Sequence, residues 1–224
     1  MRNVIIFNAE SAFFYCRSQT FRRFVSAATE LHCDSASLSR VLSVRGISHW
    51  RSHGPDFMES VLRECAGERI AIVGGSSIAH AKLKQKFGLT ETYFFSGRVD
   101  SESVPSLFDD ILKFSPRYIF LCLGLYKQER ISSEFLDFAK SKDEFREVTI
   151  AGVGAAIDFL GETKVRAGTT WQALGLEWFP RLLREPRMFP RVVRSLFGCL
   201  YFYKLPLIEV SSLPWVVYDA RQSR

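Results

Sequence analysis

Three consecutive polar residues in the middle of this chain could bind a phosphate-containing substrate. Lys127, Gln128 and Glu129 come three residues after the β-rich run 117–123, where neither a buried strand nor a buried helix requires such side chains. A glutamine can donate a hydrogen bond to a diphosphate or sugar oxygen, and a lysine can neutralise negative charge. The alternative is that the three residues form the solvated first turn of a helix. We favour the binding role.

A Gly-Gly-Ser turn is a second candidate for binding phosphate. Gly74 and Gly75 stand where the β-rich run 69–74 ends and a helical segment begins. Glycines let a diphosphate approach the backbone amides, and the amino terminus of the helix adds a favourable dipole. The segment matches neither GxGxxG nor the Walker sequence, so a tight turn that binds no ligand explains it equally well.

The elements that position these residues alternate along the chain. Segments with the apolar spacing of helices separate β-rich runs at 3–8, 69–74, 92–95, 117–123 and 148–152. This alternation predicts an α/β, Rossmann-like fold with a mostly parallel sheet flanked by helices. Ligands bind beyond the carboxyl ends of such strands. We therefore expect a site formed by Asn8, Gly74, Gly75 and the segments 124–129 and 152–158.

Composition predicts one α/β domain followed by a basic tail. The 224 residues are 47% apolar, and the net charge is +6. Residues 181–224 hold eight basic side chains against three acidic ones, so we predict a domain over 1–180 and a basic, aromatic-rich helical appendage over 181–224. Its aliphatic residues immerse well in acyl chains and stack poorly on bases. We therefore expect that the appendage binds an anionic membrane surface and no nucleic acid. Binding of nucleic acid by the basic tail is the alternative.

Cysteine usage and the apolar runs indicate a cytosolic setting. Five cysteines form no CxxC pair, and their odd number fits a reducing compartment. The start MRNVIIFNAES lacks the features of a signal peptide, so we predict a strand there. The longest apolar run of the tail, 195–203, has nine residues and is well short of the roughly 20 needed to span a bilayer.

Three segments carry a resemblance to a known family: LGLYKQER at 123–130, GVGAAIDFLGETKVRAG at 152–168 and GLEWFPRLLREPRMFPR at 175–191. Their order and spacing resemble the WecG/TagA/CpsF glycosyltransferases, glycosyltransferase family 26. The resemblance implies an inverting enzyme that moves a hexose, of the N-acetylmannosamine type or related, from a UDP-sugar to a polyprenyl-diphosphate-linked sugar in bacterial cell-surface polysaccharide synthesis. It also implies a cytoplasmic protein, peripheral on the inner face of the cytoplasmic membrane, that uses no cofactor and no metal.

The resemblance implies roles for individual residues. Asp34 would be the base that removes the proton of the acceptor hydroxyl, although the sequence alone favours a helix cap for it. Arg51 and Gln128 would stabilise the leaving diphosphate, and an ion pair with Asp56 is the alternative for Arg51. The predicted catalytic residues are therefore Asp34, Arg51 and Gln128. The predicted substrate-binding residues are Asn8, Gly74, Gly75, Lys127, Glu129, Asp158, Arg166, Glu177, Arg184, Arg187, Arg191 and Arg194.

Structural roles are the alternative for several of these residues. Asp158 and Arg166 could form an ion pair or anchor a turn, and Glu177 could pair with Arg181 at helical spacing. The arginines from 184 to 194 recur every three or four residues, which places them broadly along one helical face. There we expect them to contact headgroup or substrate phosphates.

Departures from the family pattern motivate a second hypothesis. Ile6, Ser35, Tyr126 and Gly168 stand where family members usually carry other residues. Family members also usually have about 25 further residues before the first strand, on typical element lengths. The alternative function is a catalytically silent nucleotide-binding or scaffold member of a polysaccharide assembly complex. The sequence leaves a monomer and a homo-oligomer equally open.

Overall fold

The computed structural model describes residues 1–65, 67–96, 99–140, 142, 147–164, 171 and 178–217. Two predicted site residues, Arg166 and Glu177, lie outside the described residues. For Arg184 the structure describes the backbone only.

Six short strands form a parallel sheet at the centre of the fold. They are β1 (Arg2–Phe7), β2 (Glu30–Cys33), β3 (Ile70–Val73), β4 (Thr92–Phe95), β5 (Tyr118–Leu121) and β6 (Thr149–Gly152), in the order β2-β1-β6-β5-β3-β4. In the registers of neighbouring strands, Ile70 pairs with Tyr118, and Tyr118 pairs with Thr149. The predicted α/β, Rossmann-like fold is confirmed. β2 was not among the predicted strands, because ELHC has only four residues and two of them are polar.

Helices connect the strands and continue after the sheet. Between successive strands lie α1 (Ala9–Arg17), α2 (Gln19–Ser26), α3 (Ala36–Val44), α4 (Gly54–Glu64), α5 (Ser77–Phe87), α6 (Ser103–Phe114) and α7 (Lys127–Ala139), and α8 (Ala156–Leu160) follows β6. The carboxyl-terminal part is helical, as predicted, with α9 (Trp178–Arg184), a 3-10 turn (Pro186–Met188), α10 (Phe189–Lys204) and α11 (Leu207–Ser211). Within the described residues, no helix combines the length and apolar composition needed to cross a bilayer.

The chain divides into two compact units, which are described separately. Unit 1 comprises Met1–Ile5, Ala27–Thr29 and Gly54–Val165, and unit 2 comprises Ile6–Ser26, Glu30–His53 and Arg166–Arg224. The core of unit 1 contains buried residues of its strands and of α6 and α7, such as Val73, Leu107 and Ile119. The predicted boundary at residues 180 and 181 stays a prediction.

The core of unit 2 is an aromatic cluster that holds α10 in place. The Phe7 ring lies 5.7 Å from that of Phe202 and 5.6 Å from that of Trp215, between ring centroids. Gly198 of α10 is buried against α1, where a Cβ atom would overlap the carbonyl oxygen of Ala9 and lie 2.8 Å from the backbone nitrogen of Phe13. Only a glycine permits this approach, so α10 and α1 pack backbone to backbone.

Candidate functional site

A pocket of about 240 Å³ lies in unit 2 and brings together four of the predicted site residues. Asn8, Asp34, Arg51 and Arg191 all line it. The pocket walls come from the start of α1, the end of β2, the segment before α4, and α9 and α10. Two titratable residues of the lining, Glu10 and His53, were not predicted.

Asn8 connects the end of β1 to the pocket by capping α1. Its Oδ1 accepts hydrogen bonds from the backbone nitrogens of Glu10 and Ser11, at 2.9 and 3.0 Å. These bonds satisfy amides that the first helical turn leaves open. The Nδ2 group of Asn8 has no acceptor among the described residues, so it remains able to donate to a substrate oxygen.

Asp34 lies at the carboxyl end of β2 with its side chain partly exposed to the pocket. Its backbone nitrogen donates to the carbonyl oxygen of Phe7 at 3.0 Å, which fixes the chain there. The helix-cap role that the sequence alone favoured for Asp34 is wrong, because Ser35 is the N-cap of α3 and accepts from the backbone nitrogen of Leu38. The carboxylate of Asp34 is therefore available for another task.

His53 connects Asp34 to Arg51. Its Nδ1 lies 2.7 Å from Oδ1 of Asp34, and its Nε2 lies 3.3 Å from Nη2 of Arg51. A β-bridge between Arg51 and Cys33 holds the arginine backbone beside β2. Among the described residues, no side chain donates to Oδ2 of Asp34. The arrangement thus presents one anchored and one available carboxylate oxygen.

Glu10 is the buried acid of the pocket and pairs with two arginines of α10. Its Oε2 accepts from Nε of Arg191 at 2.9 Å, and its Oε1 accepts from Nε and Nη2 of Arg194 at 2.8 and 2.7 Å. The Glu10 side chain is 6% exposed, whereas those of Arg191 and Arg194 are 48% and 34% exposed. Two of the arginines predicted to contact phosphates are therefore oriented by a carboxylate. Arg187 lies exposed in the 3-10 turn.

The thiol of Cys33 beside this pocket is not a candidate nucleophile. Burial, together with the charge of Asp34, raises the pKa of Cys33 to about 12, although the charge of Arg51 opposes the shift. A thiol with this pKa stays protonated at neutral pH, and the thiolate is the reactive form. Proton transfer in the pocket is therefore left to the carboxylates and to His53.

In unit 1 the predicted glycines form a tightly packed turn after β3. Gly74 and Gly75 have φ angles of 97° and 83°, and a Cβ on Gly74 would lie 2.5 Å from the carbonyl oxygen of Cys122. His80 approaches the carbonyl oxygen of Gly74 with Nε2 at 2.8 Å. Packing alone therefore explains why both positions are glycine.

The turn after β3 also borders a topological switch point of the sheet. β3 connects to β4 on one side and the neighbouring β5 connects to β6 on the other, and sheets of this kind bind ligands where the direction changes.

Gln128 and Glu129 organise the start of α7 and are not a solvated helical turn. Both are buried, so that alternative is wrong. Gln128 accepts from the backbone nitrogen of Gly154 with Oε1 and donates to Glu129 with Nε2, each at 2.9 Å. Glu129 in turn accepts from the backbone nitrogen of Tyr126, whose φ is 74°. Lys127 is half-buried, and its ammonium group contacts no acceptor among the described residues.

Asp158 forms an ion pair with Lys164, and its role in substrate binding stays a prediction. Its Oδ2 accepts from Nζ of Lys164 at 2.6 Å, and its backbone carbonyl oxygen accepts from Thr163. The predicted residues of unit 1 therefore lie after β3, β5 and β6, with Gln128 joining the last two groups through Gly154.

Comparison with known protein families identifies a family whose profile matches this chain. The profile described as the Glycosyl transferase WecG/TagA/CpsF family matches residues 2–207 of the 224. The match includes the strands of the sheet, the pocket lining in unit 2 and the turns after β3, β5 and β6 in unit 1.

Proposed function

Because this chain belongs to the WecG/TagA/CpsF glycosyltransferase family, we propose that it transfers a hexose from a UDP-sugar to a polyprenyl-diphosphate-linked sugar with inversion of configuration. Membership in the family implies a glycosyltransferase of cell-surface polysaccharide synthesis. The finer proposal is a hexose of the N-acetylmannosamine type or a related one. The observation that best supports the proposed transfer is the Asp34 carboxylate, which lines a pocket together with two arginines.

Asp34 is the base in the proposed reaction. Its Oδ2 accepts the proton of the acceptor hydroxyl as that oxygen attacks the anomeric carbon from the face opposite the diphosphate. The bond from the acceptor oxygen to the anomeric carbon forms while the bond from that carbon to the diphosphate oxygen breaks. UDP leaves with the electron pair of the broken bond, and the proton stays on Asp34 until water removes it.

Arginines supply the positive charge that the phosphates of the substrates require. Arg191 uses Nε on Glu10, which leaves its two Nη groups without an acceptor among the described residues. A guanidinium group matches phosphate oxygens in a bidentate geometry, and it stabilises charge that grows on a leaving diphosphate. Charge stabilisation by arginine, lysine and backbone amides needs no metal, and the sequence contains no Asp-x-Asp pair for one. We therefore propose a metal-independent transfer.

Within unit 1, the proposal gives Lys127 and Gln128 a role at the leaving diphosphate. Lys127 contributes charge, and Gln128 acts through the backbone nitrogen of Gly154, which it holds after β6. Glu129 keeps the Gln128 amide in this orientation. The direct contact between Gln128 and a substrate oxygen that the sequence suggested would use the second N–H of Nε2, because the first donates to Glu129.

The surface of α10 and α11 supports a peripheral position at a membrane. Leu196, Leu200 and Ile208 are 65%, 47% and 80% exposed, Lys204 lies exposed at the end of α10, and Arg187 lies exposed in the 3-10 turn before α10. Exposed aliphatic residues beside cations fit the boundary between acyl chains and anionic headgroups. We propose that this surface docks on the inner face of the cytoplasmic membrane, where a lipid-linked acceptor is found.

The test is a transfer assay with purified protein. The protein is incubated with UDP-N-acetylmannosamine and lipid-linked N-acetylglucosamine in anionic vesicles, with and without EDTA, and both UDP release and the glycolipid product are measured. The proposal predicts product formation that requires the acceptor and is unaffected by EDTA. UDP binding without turnover across a panel of UDP-hexoses and lipid-linked acceptors would contradict it and favour the silent nucleotide-binding alternative.

A further inference from the structure

We propose that His53 is a positioning residue of the pocket in unit 2. As the neutral tautomer that carries its proton on Nδ1, His53 holds Asp34 with one nitrogen and Arg51 with the other. Protonation of the ring releases Arg51, so the pocket works only while His53 is neutral. The catalytic consequence rests on the proposed function, whereas the state of the ring can be measured independently of it.

The two contacts of the ring assign its tautomer. An ionised carboxylate only accepts hydrogen bonds, so the nitrogen 2.7 Å from Oδ1 of Asp34 carries a proton, and this nitrogen is Nδ1. A guanidinium group only donates, so the nitrogen 3.3 Å from Nη2 of Arg51 is the acceptor, and this nitrogen is Nε2. Only the neutral Nδ1–H form satisfies both neighbours at once.

This contact orients the proposed base. Hydrogen bonding to His53 occupies Oδ1 of Asp34 and leaves Oδ2 as the oxygen available to an acceptor hydroxyl. Asp34 directly follows a short strand and directly precedes the cap of α3, so its backbone is fixed on both sides while its carboxylate can still rotate. The bond to Nδ1 of His53 removes that rotation. Proton transfer depends steeply on such geometry.

Protonation of His53 reverses one of the two contacts. The imidazolium form carries a proton on Nε2, which would then face the N–H groups of Arg51, and the two cations would repel each other. The charged and titratable groups that line the same pocket are Asp34, Glu10, Arg51 and Arg191. Asp34 favours the cationic ring, whereas Arg51 opposes it. We therefore expect acid to separate Arg51 from the ring while the contact with Asp34 persists.

The ring state is tested by 15N NMR of histidine-labelled protein, in which the His53→Asn variant identifies the signal of His53. The proposal predicts the neutral Nδ1–H pattern at pH 7.5 in the wild type. A neutral Nε2–H pattern, or a doubly protonated ring at that pH, would overturn it. A wild type that shows the predicted pattern but transfers no sugar would contradict the proposed function and leave the ring assignment standing.

Three variants of His53 test the positioning role. His53→Ala should lower kcat about 10- to 100-fold with little change in KM, on the usual cost of a misplaced catalytic group. His53→Asn places an amide donor near the Nδ1 position, so it should recover most of kcat and lose the acid limb of the pH profile. His53→Gln places the amide near Nε2 and should not recover kcat.

His49 provides the matched control. It lies in the same unit, outside the pocket lining, with Nε2 2.7 Å from Oγ of Ser39 and Nδ1 2.9 Å from the carbonyl oxygen of Ile47. His49→Asn should leave kcat and the acid limb unchanged. The wild-type acid limb should have the same pH midpoint as the NMR titration of His53. Equal loss of kcat in His53→Asn and His53→Ala, or an acid limb that survives in His53→Asn, would refute the positioning role.

Discussion

Replacing Gly198 by alanine tests the backbone contact that seats α10 in unit 2. An alanine in place of a helix-interior glycine normally stabilises a protein by about 1 kcal/mol. Here the added Cβ would overlap the carbonyl oxygen of Ala9 and lie 2.8 Å from the nitrogen of Phe13, and both are backbone atoms that cannot rotate away. Overpacking costs about 1–3 kcal/mol, and rigid neighbours favour the upper end. The net expectation is a destabilisation of about 2 kcal/mol.

The assay is thermal and urea unfolding of Gly198→Ala beside the wild type. For a chain of this size, about 2 kcal/mol corresponds to a fall in Tm of about 4–8 °C. The control is Gly67→Ala, where no heavy atom lies within 4 Å of the added Cβ, so we expect a change within about 0.5 kcal/mol. If Gly198→Ala instead raises the stability by about 1 kcal/mol, Gly198 behaves as an exposed helical glycine and the close packing of α10 on α1 is refuted.

Three further predictions concern buried polar groups. Glu10→Ala should lower the free energy of unfolding by about 1–2 kcal/mol, which is less than the cost of breaking a fully buried pair because the arginine partners can hydrate. The control Glu59→Ala removes an exposed pair and should cost less than about 0.5 kcal/mol, and the urea midpoints of both variants check this. Gln128→Ala removes one hydrogen bond from the buried Glu129 carboxylate and one from the partly buried amide of Gly154, so it should cost about 2–4 kcal/mol, and a change below about 1 kcal/mol in the same assay would contradict the observed contacts. Burial raises the pKa of Cys33 and of Cys122 to about 12, so both thiols should stay protonated at pH 8. They should resist iodoacetamide in the folded protein and react after unfolding. Rapid labelling of either thiol in the folded protein, measured by mass spectrometry, would contradict this.

The alternation of apolar runs was sufficient to predict the fold class. Five of the six strands carry enough apolar residues to stand out from the helices around them, namely β1 and β3 to β6. β2 does not, because ELHC is short and half polar, yet it pairs within the sheet and ends directly before Asp34. Strand pairing is a tertiary interaction, and a four-residue segment carries little local information about it.

The site was predictable where a side chain follows a strand and not where its partner is distant in sequence. Asn8 and Asp34 follow β1 and β2, and both line the pocket. Glu10 was missed because its two arginine partners lie 181 and 184 positions away along the chain. His53 was missed because its contact with Asp34 spans 19 positions. The burial of Gln128 likewise depends on Gly154, which only the folded chain brings beside it.

The most direct test of this account is the turnover number of Asp34→Asn with saturating UDP-sugar and lipid-linked acceptor. An asparagine preserves the shape of the side chain and can no longer accept the hydroxyl proton. The account predicts that kcat falls about 10²- to 10⁴-fold, as expected for the loss of a general base, while UDP binding and unfolding free energy stay close to those of the wild type. A wild-type kcat in Asp34→Asn would contradict it and remove Asp34 from the reaction.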